Sequence, residues 1–166
     1  MRNDERGVAP RGFMKKGASF IDHRSAFRVF SWPVRVYYED TDLGGVVYYA
    51  NYLKFMERAR TEWLRALGFE QAALARDHGV VFVVSSLAID YVKPAAFNDE
   101  LTVTVELEKL GAVQIMLKQR IARGAEALAK ASVRIACVNT ATFRPVRIPN
   151  SLSDCLHRQA AKGKTA

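Results

Sequence analysis

The stretch Tyr38-Glu39-Asp40-Thr41-Asp42-Leu43-Gly44-Gly45-Val46-Val47-Tyr48-Tyr49-Ala50-Asn51-Tyr52 joins a predicted strand to the one long predicted helix. Its acidic residues are followed at once by paired glycines, and glycine accepts positive φ and close approach of other groups. The run therefore predicts a sharp bend with exposed amides. Because unpaired N–H groups at a helix start carry partial positive charge, such amides can bind an anion or polarise a carbonyl. An acid beside them fits a hydrolase site, although the same residue types also make ordinary turns and helix caps.

The elements on either side of the bend have clear patterns. Residues 32–38 are rich in aromatic and β-branched side chains, which predicts a strand with Pro33 near its beginning. Residues 51–67 have helical spacing, and Gly68 follows as a stop signal. The apolar face of this helix is predicted to contain Tyr52, Leu53, Met56, Ala59, Trp63, Leu64 and Leu67, with Lys54, Arg58 and Arg65 on the opposite side.

Downstream patterns predict one antiparallel sheet beside the helix. Strands are predicted at 80–92, 101–108, 114–122 and 127–139, with short helices at 71–78 and 152–161. Alternation is clearest in 101–108, which indicates one buried and one solvated face. With the strand before the bend this makes an α+β domain of five strands and one long helix. We assign the domain to residues 28–149, a flexible basic extension to 1–27 and a tail to 150–166.

Two charged residues interrupt the helix pattern. Arg60 falls within the apolar arc, and Glu57 lies at its edge one turn earlier. One interpretation is a Glu57–Arg60 pair on the helix surface, worth a few tenths of a kcal/mol. The other is that Glu57 lines the pocket beside the bend and that Arg60 orients it. The pattern favours the surface pair.

Composition narrows the classes of protein. The chain has 166 residues with 49% hydrophobic and 25% charged residues, and no apolar run approaches the roughly 20 residues that a membrane span needs. Its net charge of +8 is concentrated near the ends, without the interleaved aromatic residues that stack nucleic-acid bases, so nucleic-acid binding is disfavoured. Two cysteines do not make a disulfide framework, which favours a reducing, cytoplasmic location.

Several kinds of catalytic chemistry have no signature here. The histidines, His23, His78 and His157, are scattered, and none accompanies the bend. The sequence has no Cys/His cluster with zinc spacing, no phosphate-binding glycine motif and no G-x-S-x-G elbow. We therefore predict no metal and no resident cofactor, and what remains is carboxylate chemistry.

Three parts of the sequence closely resemble the 4-hydroxybenzoyl-CoA thioesterase family. They are the run from Trp32 to Asp42, the glycines with Val46-Val47-Tyr48, and the helix start with Glu57-Arg58-Ala59-Arg60. The nearest likeness is to its Tol-Pal-associated acyl-CoA thioesterase branch, and it extends from about residue 32 to 149. The resemblance implies a hotdog fold, in which a curved antiparallel sheet wraps the long helix. It also implies a homodimer or homotetramer with active sites at subunit interfaces.

In that family the acid of the Thr/Cys-Asp-x-x-Gly motif is catalytic, and here its position is Asp42. The resemblance implies that Asp42 acts as general base or nucleophile, and that the amides near Tyr48 and Tyr49 polarise the thioester carbonyl. Gly45 and Val46 in the bend, and Glu57 at the edge of the apolar arc of the helix, are candidates for substrate binding. Lys93 and Lys109 are candidates for binding the phosphates of coenzyme A, which belongs to the substrate.

One residue departs from the family pattern, and other functions stay open. Close relatives often have His at the position of Tyr49, and tyrosine cannot shuttle a proton near neutral pH as imidazole does. The resemblance implies hydrolysis of a short- to medium-chain acyl-CoA. The first alternative is a scaffold that binds acyl carrier protein or envelope-biogenesis partners, which the basic charge would suit. A hotdog dehydratase or hydratase is the second, but such enzymes typically need a histidine beside the acid.

Overall fold

The structure, a computed structural model, describes residues 19–21 and 29–161. In these residues six antiparallel strands form one sheet in the order β1-β2-β4-β5-β6-β3. The strands are β1 (Ser19–Ile21), β2 (Val29–Arg35), β3 (Val80–Tyr91), β4 (Glu100–Leu110), β5 (Gln114–Arg123) and β6 (Glu126–Asn139). The helices are α1 (Asn51–Ala66), α2 (Gln71–His78) and α3 (Asn150–Ala161).

The sheet buries one face against α1 because its strands alternate as the sequence predicts. In β4 the side chains of Leu101, Val103, Val105 and Leu107 are buried, and the residues between them face outward. The helix α1 packs against β2, β4 and β5. Register shifts in β3, β4 and β6 mark bulges, which bend strands and increase their twist. A curved antiparallel sheet around one long helix is the hotdog fold, as predicted.

The long helix agrees closely with its prediction. It runs from Asn51 to Ala66, with Leu67 as its C-terminal cap. The buried residues of α1 include Tyr52, Met56, Ala59, Trp63 and Leu64 from the predicted face, and also Phe55, which the prediction left out. Lys54, Arg58 and Arg65 are exposed, as predicted.

The first strand differs from its prediction. Strand β2 covers Val29–Arg35, and Tyr38–Asp40 forms a single turn of 3-10 helix. The reason is that the backbone begins to turn toward the bend before the aromatic run ends: the Asp40 N–H donates to the carbonyl of Tyr37. The five predicted strands are present, and β1 adds a short sixth strand at the edge beside β2.

The ends of the chain are only partly described. The prediction of a flexible extension falls mostly on residues 1–18 and 22–28, which lie outside the described residues. At the other end, α3 is part of the core, because Leu152 and Leu156 are fully buried. The residues assigned to a tail therefore contain a helix that packs on the domain, and the domain continues past residue 149.

Strand β3 forms the second edge of the sheet. In the described part of the chain it pairs with β6 alone, over most of its twelve residues. Its unpaired side carries a row of backbone groups free to pair with another strand, and Val84 on this strand is about half exposed.

Candidate active site

The bend predicted between strand and helix is a tight backbone loop. Thr41 and Val47 form an isolated antiparallel bridge, and the Asp42 N–H donates to the carbonyl of Val46 at 2.9 Å. The Gly45 N–H donates back to the carbonyl of Asp42 at 3.0 Å. Gly45 has a φ of +73°, a conformation that costs other L-residues about 1–2 kcal/mol. The turn therefore requires a glycine at this position.

A second segment of the chain holds the bend from behind. The Val47 N–H donates to the carbonyl of Ala95 at 2.8 Å, and Val46 bridges to Ala96. The Ala95 N–H in turn donates to the Tyr52 hydroxyl at 2.9 Å, in a buried position. The bend is therefore fixed between the first turn of α1 and the loop that precedes β4.

The Asp42 carboxylate lies exposed on this bend. Its Oδ1 accepts the backbone N–H of Gly44 at 2.8 Å, the geometry of an ordinary Asx-type turn. Among the described residues no hydrogen-bond donor to the second oxygen is found, and the residue as a whole is exposed. The side chain thus combines a structural contact through one oxygen with a second oxygen that is available for chemistry.

The amides at the helix start are not equivalent. The Tyr48 N–H donates to the carbonyl of Asp40 at 2.9 Å, so it is not a free donor. The buried Asn51 side chain donates to the same carbonyl at 2.9 Å. Within the described part of the chain, the Tyr49 N–H has no acceptor. Of the two amides, only that of Tyr49 is therefore left to polarise a carbonyl, and the Ala50 N–H that follows it also has no acceptor among the described residues.

Tyrosine rings surround this amide. The rings of Tyr48 and Tyr49 lie 4.7 Å apart, and Tyr91 meets Tyr49 edge-on at 6.5 Å. The side chain of Tyr49 raises the pKa of the exposed Tyr48 hydroxyl by hydrogen bonding, so this phenol stays protonated near neutral pH. The Tyr91 hydroxyl donates to the carbonyl of Tyr49 at 2.8 Å.

The contact between Tyr91 and Tyr49 was missed in the sequence. The two residues are far apart in the chain, and the only hint in the sequence was an aromatic residue at the end of a strand beside Lys93-Pro94. The spacing of apolar residues along a strand shows which face is buried, but it does not show which helix the end of that strand contacts.

Glu57 and Arg60 do not pair with each other directly. The exposed Glu57 carboxylate accepts the Thr61 hydroxyl at 2.8 Å, whereas Arg60 donates to the side-chain oxygen of Gln119 at 2.7 Å. Burial lowers the pKa of the Arg60 guanidinium, and the nearby Glu57 charge opposes that shift. The prediction of a Glu57–Arg60 pair on the helix surface is therefore wrong. The Arg60 guanidinium points inward and contacts the neutral amide of Gln119 on β5. The role of Glu57 toward substrate stays a prediction.

The two lysines lie at different ends of the domain. Lys93 is close in sequence to Tyr91 and Ala95, which contact the bend, but its ammonium pairs with Glu126 at 2.5 Å. Lys109 is near the opposite end of β4, roughly 30 Å along the strand from Glu100 at the usual strand rise. In a single chain Lys109 is therefore remote from the bend, and its phosphate-binding role would need another subunit.

A separate pocket of about 450 Å³ lies on the outer face of the sheet. Its charged lining residues are Asp90, Glu106, Lys118, Arg120 and Lys130. Neither Asp42 nor Tyr49 lines it. Around the bend the side chains of Leu43, Tyr48 and Tyr49 are exposed, like that of Asp42.

In the part of the chain that the structure describes, no group of three or more His, Cys, Asp or Glu side chains is placed to hold a metal ion. Of the helices described, none has the length and apolar character needed to cross a bilayer.

Comparison with known proteins identifies relatives. The model of the Thioesterase-like superfamily matches residues 36–156. A protein named acyl-CoA thioesterase YbgC from Haemophilus influenzae is 48% identical over 128 residues, which are 77% of this chain and 94% of that protein. Acyl-CoA thioester hydrolase YbgC of Escherichia coli O6:H1 is 42% identical over 125 residues, 75% of this chain and 92% of the relative. The crystal structure of a probable thioesterase from Bartonella henselae is 37% identical, with a TM-score of 0.68, covering 72% of this chain and 98% of that one.

Proposed function

We propose that this chain, which belongs to the Thioesterase-like superfamily, hydrolyses acyl-CoA to the free acid and coenzyme A. Thioester hydrolysis is the activity named for its YbgC relatives, of which the one from Haemophilus influenzae is 48% identical. The finer proposal concerns the residues. Asp42 activates the attack, and the Tyr49 N–H polarises the thioester carbonyl.

The observation that carries this proposal is the placement of an exposed carboxylate and an unpaired amide on one hydrogen-bonded bend. Asp42 and Tyr49 flank the Thr41–Val47 bridge, so their separation is set by backbone hydrogen bonds and not by flexible side chains. Hydrogen-bond donors that are already oriented toward the developing oxyanion contribute a large part of enzymatic rate enhancement.

The chemistry follows from these two groups. As general base, the Asp42 carboxylate takes a proton from water while the water oxygen attacks the thioester carbon. The carbonyl oxygen gains negative charge and accepts the Tyr49 N–H. Collapse of the tetrahedral intermediate breaks the C–S bond, and the thiolate of coenzyme A leaves and takes up a proton. As nucleophile, Asp42 would instead form a mixed anhydride that water then hydrolyses.

The test of this proposal is the Asp42→Asn variant with a panel of acyl-CoA substrates. Asparagine keeps an oxygen that can accept the Gly44 N–H, so the turn should survive while the base and nucleophile are lost. We expect kcat to fall by roughly 10²–10⁴-fold, the usual contribution of a general base. Asp77→Asn, an exposed acid on α2, is the control. Wild-type release of coenzyme A by Asp42→Asn would exclude the proposed role.

Substrate range is part of the proposal. We propose short- to medium-chain acyl groups, and coenzyme A as carrier, with Gly45, Val46 and Glu57 near the acyl thioester. Comparing kcat/KM across acyl-CoA chain lengths, and for the same acyl groups on acyl carrier protein, tests both points. A preference for long chains or for the carrier protein would contradict them.

A homodimer or homotetramer completes the proposed site. Support comes from the unpaired edge of β3, with Val84 exposed on it, and from the exposed side chains around Asp42 in one chain. Val84→Lys should shift the oligomer toward monomer in light scattering and lower activity with it. Thr102→Lys places the same charge on β4, which is already paired on both sides, and should leave the oligomer intact. An unchanged mass for Val84→Lys would argue against pairing through this edge.

The second candidate is a scaffold of the Tol-Pal-associated branch that binds acyl carrier protein or envelope-biogenesis partners. The net charge of +8 favours an acidic partner. Binding of purified acyl carrier protein together with no turnover on any acyl-CoA would favour this candidate. We propose a cytoplasmic location for either function, supported by two free cysteines, and cell fractionation tests it.

A further inference from the structure

We infer that Tyr91 is a positioning residue for the carbonyl-polarising amides at the start of α1. The inference rests on the proposed function and extends it, because it explains how the Ala50 N–H, the amide next to that of Tyr49, is held toward a thioester. Its basis is the hydrogen bond from the Tyr91 hydroxyl to the carbonyl of Tyr49, 2.8 Å long.

The two peptide groups that flank Tyr49 are both fixed through their carbonyls. The carbonyl of Tyr48 accepts the Asn51 N–H at 2.8 Å, and the carbonyl of Tyr49 accepts the Tyr91 hydroxyl. A trans peptide is planar, so its C=O and N–H point in opposite directions. Anchoring the Tyr48 carbonyl therefore aims the Tyr49 N–H, and anchoring the Tyr49 carbonyl aims the Ala50 N–H. In the described part of the chain neither N–H has an acceptor.

Tyr91 is itself rigidly placed. It is the last residue of β3, and its ring meets the ring of Tyr52 nearly perpendicularly at 5.4 Å. Tyr52 is buried, and its hydroxyl is held by the Ala95 N–H. Partial burial raises the pKa of Tyr91, so its hydroxyl remains a donor near neutral pH. Strand β3 thus fixes, through Tyr91, the orientation of the Tyr49–Ala50 peptide at the start of α1. The loop backbone alone would leave this peptide freer to rotate.

The hydroxyl acts through Tyr49 and not on the substrate, because its hydrogen is committed to the Tyr49 carbonyl. Without the Tyr91 hydroxyl, the Tyr49–Ala50 peptide can rotate. Its N–H is then no longer aligned with the substrate carbonyl before the reaction and has to be aligned during it. Ground-state binding depends little on those donors, whereas the oxyanion depends on them strongly. Loss of the hydroxyl should therefore lower kcat more than it changes KM.

The test is Tyr91→Phe in the full chain, which removes the hydroxyl and keeps the ring. We expect kcat to fall roughly tenfold, less than the 10²–10³-fold cost of deleting a donor outright, with KM changed less than about twofold. A trifluoromethyl ketone analogue adds water to form a tetrahedral hydrate that resembles the transition state, whereas an S-alkyl thioether of coenzyme A has no such oxygen. The variant should bind the ketone about tenfold more weakly and the thioether as the wild type does.

Tyr38→Phe is the matched control, because it removes a tyrosine hydroxyl from an exposed ring that stacks on Phe97. It should leave both kcat and the ratio of ketone to thioether affinity unchanged. If Tyr91→Phe behaves in this way, or keeps wild-type kcat, the positioning role is overturned. The backbone ¹⁵N–¹H signals of Tyr49 and Ala50 give a readout without turnover, and Tyr91→Phe should shift them. Unshifted signals would overturn the inference even if the wild type proved inactive, whereas inactivity alone would count only against the proposed function.

Discussion

One oxygen of Asp42 accepts the backbone N–H of Gly44 at 2.8 Å, and a Cβ added to Gly44 would lie 3.1 Å from that same oxygen. The carboxylate is therefore packed against a position that has no side chain. Glycine here leaves room for the acid, in addition to helping the chain turn.

The first prediction is that Gly44→Ala displaces the Asp42 carboxylate while leaving the fold intact. A contact of 3.1 Å forces the neighbour to give by a few tenths of an ångström. Since misplacement by about 1 Å costs up to 10²-fold, we expect kcat to fall about three- to tenfold. Steady-state kinetics measure the loss. Gly111→Ala is the control, because its Cβ would meet Gln114 at 3.3 Å in a remote hairpin. Equal loss in both variants would contradict the prediction.

The second prediction separates backbone strain from function at Gly45. Both Gly45 (φ +73°) and Gly68 (φ +90°) have positive φ and open space where a Cβ would be added. Alanine at either position should lower the free energy of unfolding by about 1–2 kcal/mol. Only Gly45→Ala should also lower kcat, because it distorts the bend that carries Asp42. Denaturant unfolding and kinetics on both variants check this, and normal kcat in Gly45→Ala would refute it.

The third prediction concerns the half-buried Arg60 and its acceptor Gln119, which also donates to the carbonyl of Met56 at 3.1 Å. Gln119→Leu should destabilise the protein by about 1–3 kcal/mol, because it leaves the guanidinium without its acceptor. Adding Arg60→Met should recover part of that loss, since an apolar pair removes the unsatisfied charge. A double-mutant cycle from denaturant unfolding measures the coupling. Strictly additive effects would mean that the contact contributes nothing.

The fourth prediction is a loss of stability in acid through Glu126. Hydrogen bonds from Lys93, and then from Arg123, lower the pKa of this carboxyl below its ordinary value of 4.5. A lowered folded-state pKa contributes stability that is present above pH 4.5 and is lost as the pH falls through the folded value. The stability of Glu126→Gln should therefore depend less on pH below 4.5 than that of the wild type, as followed by thermal melts. Parallel curves for the two proteins would rule out this contribution.

The fifth prediction is a loss of stability in alkali through Tyr52. Burial raises its pKa above 10.0, so its contribution is complete below pH 10 and is lost as the pH rises through the folded value. Tyr52→Phe should be less stable than the wild type at pH 8, yet lose less stability between pH 10 and 11. Burial also raises the pKa of the Cys137 thiol. Because the wild type and Tyr52→Phe both contain Cys137, its contribution cancels in the comparison. Identical losses in alkali would show that Tyr52 does not contribute.

The sequence by itself determined the elements of this protein and the place of its bend. Helical spacing located α1 from Asn51, and alternation located β4, because burial of one face imposes those periods. Gly44 and Gly45 after the acids marked the turn, because the positive φ at Gly45 favours glycine and a side chain at Gly44 would crowd the Asp42 carboxylate. The family likeness added the candidate roles of Asp42 and Tyr49, which the residue pattern alone did not distinguish from a turn and a cap.

Only the tertiary structure decided which groups meet at the bend. The Tyr48 N–H proved to be occupied by Asp40, Arg60 turned to Gln119 on another strand, and Tyr91 reached the carbonyl of Tyr49. These contacts join residues that are either distant in the chain or set by the local path of the backbone. Periodicity records which face of an element is buried, but it carries no information about what lies opposite that face. The packing of the whole sheet against the helix determines which residues lie opposite each other.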